Sequence, residues 1–152
     1  MSRAVSTVLD ASLAILLVSA AAVALVAIPG GDQRPPDPDA TARTVLASTA
    51  TAEYQAANGS RRSVSGRAGT LLAHAALADS RDGAPGFVRA VEAAIEDVLV
   101  ATGGRVEVVA ATGEGRVRVG ERPPPSASVS GVSHEVAVEH ESATVTVRTW
   151  SP

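Results

Sequence analysis

The chain has no cysteine and no lysine, and only one each of Phe, Trp and Tyr. Without Cys there is no disulfide framework, no thiolate metal site and no thiol nucleophile. Three aromatics leave little for stacking on bases. The net charge of −3 is the wrong sign for a phosphate-binding surface. No nucleic-acid partner is therefore expected. What is abundant is Ala and Val, 30 and 22 of the 152 residues. All 13 basic residues are Arg. The length suits one domain with an appendage.

The apolar residues are unevenly spread. Ala11 to Ile28 is an 18-residue stretch without a charge, interrupted only by Ser12 and Ser19. As a helix it would be about 27 Å long, close to the hydrocarbon thickness of a bilayer. Pro29-Gly30-Gly31 then ends it. An element apolar on every side is a membrane segment or a secretion signal, not one face of a soluble helix. Arg3 precedes the run, and Asp32, Arg34, Asp37 and Asp39 follow it. The positive-inside rule then expects a single pass through the cell membrane, N-terminus cytoplasmic and C-terminal domain extracellular. The competing reading is a signal peptide cut near Ser19 to Ala22. Asp10 stands at the head of the run, where an acid is either paired or wetted at headgroup level.

The segment Arg3-Ala4-Val5-Ser6-Thr7-Val8, running straight into the apolar stretch, resembles the start of archaeal type IV pilin-like precursors, haloarchaeal ones in particular. The layout is also similar to a group of uncharacterised haloarchaeal single-span membrane proteins. The resemblance implies that a prepilin peptidase recognises Arg3 and Ala4 and leaves Val5 as the new N-terminus. The helix would remain as anchor and filament core, with Asp10 as an intramembrane acid that neutralises a neighbour's terminal amine. Membrane lipid, other pilin-like subunits and a secretion platform are the partners it implies.

Residues 1–29 are thus expected to be the anchor, 30–40 a Pro/Asp linker and 41–152 an extracytoplasmic α+β domain. Period two and β-branching within Thr44 to Tyr54 predict a strand, Asn58-Gly59 a turn, and Ser63 to Ser65 the start of a return strand. Thr70 is expected to cap a short helix over Leu71 to Asp79, with a loop over Ser80 to Gly86. The one-sided stripe Phe87, Val91, Ala94, Ile95, Val98, Leu99 predicts the main helix, Phe87 to Ala101, closed by Gly103-Gly104. Arg105 to Ala110 and Arg116 to Gly120 read as a hairpin about the Thr112 to Gly115 turn. A Pro- and Ser-rich loop leads to a second hairpin, His134 to Glu139 and Ala143 to Trp150. The expected fold class is α+β: an antiparallel sheet packed on the Phe87 to Ala101 helix.

Catalytic patterns are scarce. His134 and His140 would stand roughly 20 Å apart on a strand, too far to share a metal, and they lack the metalloprotease spacing. His74, in an Ala-rich helix, reads as structural. No Ser sits in a nucleophile elbow, and Gly113-x-Gly115 precedes a strand rather than a phosphate-binding helix. Arg61, Arg62 and Arg67 read as a solvated basic face. No enzyme activity, cofactor or metal is expected. Asn58-Gly59-Ser60 is an N-glycosylation sequon in a turn expected to lie outside the membrane.

Overall fold

The computed structural model describes residues 37–81, 83–103 and 105–151. The chain divides into two units, 1–34 and 35–152. Arg3, Ala4, Val5, Asp10 and the run 11–28 lie outside the described residues.

The first element is a helix, α1 (Pro38–Ala47). Asp37 Oδ1 accepts the Asp39 N–H at 3.0 Å, and Pro38 fills a first-turn position whose N–H needs no partner. Thr44 to Ala47 are therefore helical, not strand, and the helix starts within the segment expected to be linker. Asp37-Pro38 was the signal for it. Its Pro content favours an extended linker only while the cap is ignored. Ala42 and Val45 pin α1 to the core. Asp37→Ala is expected to cost about 1 kcal/mol, read as a lower urea midpoint for the full-length protein.

The strand begins at Thr49. β1 (Thr49–Gln55) pairs antiparallel with β2 (Arg61–Arg67), from Thr49 opposite Arg67 to Gln55 opposite Arg61. Ala50 and Ala52 face inward, and Thr51 meets Ser65 across the outer face at 2.7 Å. The chain then enters α2 (Ala68–Ser80) directly. Arg67 is the N-cap residue and gives no side-chain cap bond, so Thr70 lies inside the helix instead of capping it. The Ala68 N–H is satisfied by the Ser48 carbonyl at 2.8 Å. α3 (Pro85–Ala101) follows, with Val91, Ile95 and Leu99 buried. Phe87 at its start meets Tyr54 edge-on, ring centroids 5.3 Å apart.

Four strands form the larger sheet: β3 (Val106–Ala111), β4 (Arg116–Gly120), β5 (Ser128–Val138) and β6 (Glu141–Ser151). Their order is β4-β3-β6-β5, all antiparallel. Both expected hairpins are present, joined through β3 and β6. The expected loop is shorter than the sequence suggested, because β5 starts at Ser128, six residues before His134. Its first residues alternate Ser with small apolar side chains and stay exposed. They are held by the β6 ladder rather than by burial.

The inner face is built from valine. Val106, Val108 and Ala110 on β3 lie between Val117 and Val119 on β4 and Val145 and Val147 on β6, all buried. The fold class is α+β as expected, but the helix over the sheet is a different one. α2 touches all four strands of this sheet and also α1 and α3. The Phe87 to Ala101 stripe packs chiefly on β1, α2 and β4. α2 shows no stripe because it is enclosed on several sides: Ala68, Gly69, Leu71, Leu72, Ala73, Ala75 and Ala76 are all buried. Small side chains let three partners approach it closely.

Candidate functional site

The β5–β6 turn brings together residues far apart in sequence. Glu139 takes a left-handed φ of 52° and, with His140, reverses the chain between Val138 and Glu141. Beside this turn lie the C-terminal half of α2 and the start of α3. Between them is an open cleft of about 500 Å³. Leu77, Ala78, Phe87 and Val138 give it apolar walls, and His74, Arg81, Glu139, His140 and Glu141 supply its polar groups. Arg81 bonds Glu141 at 2.7 Å. Both side chains are about half exposed or more, so the pair contributes at most about 1 kcal/mol.

His74 therefore lines a cleft with His140, instead of standing alone in a helix. No local spacing announces this, because it depends on where α2 crosses the β5–β6 turn. His134, the other member of the sequence cluster, is not in the cleft. It faces Val145 on β6, and its Nε2 is buried without a hydrogen-bond partner. Among the described residues no group of three or more His, Asp or Glu side chains is placed to hold a metal. The cleft thus combines apolar walls with polar groups of mixed charge.

The Arg residues of β2 do not form one patch. Arg61 and Arg67 sit at opposite ends of one face, and Arg62 is on the other. Asn58 is exposed at the tip of the β1–β2 hairpin.

Two carboxylates from the helices cover the edge strand β4. Asp79 on α2 accepts the Arg116 N–H at 2.9 Å, and Glu96 on α3 accepts the Gly120 N–H at 3.1 Å. Both ends of the strand's free edge are so occupied, which blocks pairing there. Glu92 lies beside Asp79. Partial burial, then the Asp79 charge, push its pKa above its ordinary value, with Arg89 opposing. Because the folded state holds this proton more tightly, its contribution is full at acid pH and fades as pH rises through the raised value. Glu92→Gln should thus stabilise slightly at pH 7 and lose that advantage near pH 4. Urea midpoints at the two pH values check it.

The other face of the larger sheet holds an ion-pair triad that the sequence reading did not single out. Glu107, completely buried on β3, accepts Arg118 Nη1 from β4 at 2.9 Å and Arg148 Nη1 from β6 at 3.1 Å. Its carboxylate stitches three strands together. In sequence Glu107 looks like an ordinary outward residue between Val106 and Val108, and only the cross-strand register shows the Arg on each side.

Residues 9–150 match a family of unknown function, DUF7284. No curated protein and no solved structure matches the chain.

Proposed function

The chain belongs to the DUF7284 family, and we propose that it is a single-pass, membrane-anchored, pilin-like surface protein. Its place would be that of a minor subunit or accessory of an archaeal type IV pilus or a related secretion machine. The observation that carries this reading is the span of the family match. It covers the uncharged run 11–28 and the α+β head as one unit, which suits an anchor retained with its head better than a discarded leader. Among the described residues no helix is long and apolar enough to cross a membrane, so the reading assigns the anchor to 11–28.

The proposed sequence of events is the one that the resemblance to pilin-like precursors implies. Prepilin peptidase recognises Arg3 and Ala4 and exposes Val5. The apolar helix stays in lipid, then packs with helices of neighbouring pilin-like subunits as a platform extracts it. Asp10 supplies the negative charge that a buried terminal amine needs. The head stays outside the cell. Fractionation tests the anchoring: the native protein should remain in membranes through an alkaline wash. A soluble form in the medium, starting between Ala22 and Gly30, would contradict it.

A second reading rests on the cleft beside the β5–β6 turn: an anchored extracytoplasmic binding module that does not polymerise. The two separate at Asp10. Asp10→Ala disrupts assembly under the first reading and leaves function unchanged under the second.

A further inference from the structure

Asn58 is the only asparagine in the chain, and it is followed by Gly59 and Ser60 in the order an N-glycosylation sequon requires. The ready structural explanation for Asn-Gly in a hairpin is the turn itself, since Asn tolerates the left-handed region. The geometry here moves that explanation from the backbone to the side chain, which closes an Asx turn on the Ser60 N–H. The loop is closed by Ala56 N–H to the Ser60 carbonyl at 2.9 Å and Gly59 N–H to the Ala56 carbonyl at 2.8 Å. Only Gly59 has a positive φ, +79°. The backbone at Asn58 makes no demand for asparagine.

The same side chain brings the two polar residues of the sequon into contact. Asn58 Oδ1 accepts both the Ser60 N–H at 3.1 Å and the Ser60 hydroxyl at 2.7 Å. The carboxamide oxygen is thus engaged by the hydroxyl that the motif specifies, and neither of these bonds uses Nδ2. Residues 57–63 are all exposed, so a transferase reaches the tip without unfolding the hairpin. The neighbouring residue also stands in open space: a Cβ added at Gly59 would have nothing within 4 Å.

We infer that Asn58 carries an N-linked glycan at the tip of the β1–β2 hairpin. This rests on the reading above that the head lies outside the cell. The donor class is a lipid-linked phosphosugar. Asn58 Nδ2 forms a bond to C1 of the sugar while the C1–O bond to phosphate breaks. The lipid phosphate leaves with the electron pair, and a base of the transferase takes one Nδ2 proton. The glycan has a second consequence. Asn-Gly pairs are prone to succinimide formation, in which the Gly59 nitrogen attacks the Asn58 side-chain carbonyl carbon and expels ammonia. Substitution on Nδ2, together with the Gly59 N–H held by Ala56, opposes that loss.

The test is peptide mass mapping of the full-length protein isolated from its native membranes. Glycan mass on the peptide holding Asn58 is the expected result, lost in Asn58→Gln and in Ser60→Ala and kept in Ser60→Thr. Trypsin added to spheroplasts separates this inference from the topology it rests on. An unmodified or deamidated Asn58 in a head that trypsin digests overturns the glycan and leaves the surface reading standing. An unmodified Asn58 in a head protected from trypsin overturns both.

Discussion

Replacing Arg118 and Arg148 together by Ala is expected to destabilise the head by about 4 kcal/mol, more than the two single replacements added. Glu107 is fully buried on β3, and each of its oxygens has one guanidinium partner, from β4 and from β6. Loss of one Arg leaves a carboxylate still neutralised by the other, at a cost of about 1.5 kcal/mol. Loss of both leaves a buried charge with no counterion, which is where the large penalty of a broken buried pair arises. The reverse experiment is asymmetric. Arg118 and Arg148 are roughly a third exposed, so in Glu107→Gln they turn to water and the cost falls to about 1–2 kcal/mol. Urea unfolding of the detergent-solubilised protein reports all four variants. Trp150 is the only tryptophan and is buried on β6 beside the triad, so its fluorescence follows the transition.

Gly120→Ala is expected to cost about 3–5 kcal/mol, from two independent penalties. Gly120 ends β4 with φ +91°, a conformation that costs an L-residue about 1–3 kcal/mol. An added Cβ would also collide with the Val106 carbonyl oxygen and come within 2.8 Å of Leu99 Cδ1. Leu99 can shift, but the β3 backbone cannot without disturbing the ladder, and such overpacking costs about 1–3 kcal/mol more. Two other glycines separate the terms. Gly59 has φ +79° and open space, so Gly59→Ala carries the conformational cost alone. Gly113 has neither a positive φ nor a neighbour within 4 Å, so Gly113→Ala should be close to neutral. Equal Tm values for the Gly120 and Gly59 variants would remove the steric part of the argument.

These two sites mark the limit of what the sequence shows. The hairpins around Thr112–Gly115 and before Trp150 were legible because valines alternate with polar residues on either side of turn chemistry, and period two survives into the structure. α3 was legible from its one-sided stripe. α1 was hidden by its own Pro38, which reads as linker until Asp37 is seen as the cap. α2 was underrated because enclosure on several sides erases amphipathic contrast, so Leu72 and Ala76 carry no periodic signal of their central place. The start of β5 alternates Ser with Val and Gly, but both faces stay exposed, so no buried face marks it as strand. The sharing of one cleft by His74 and His140, and the pairing of Glu107 with two arginines, depend on helix crossing and strand register. Neither is local.

The proposed function rests on one claim: the apolar run is kept and its leader is removed just ahead of it. The mass of the N-terminal peptide of the native protein measures this directly. The account predicts a chain beginning at Val5, cut after the Arg3-Ala4 pair. A start at Met1 or Ser2 would contradict peptidase processing, and a start between Ala22 and Gly30 would contradict the anchor itself.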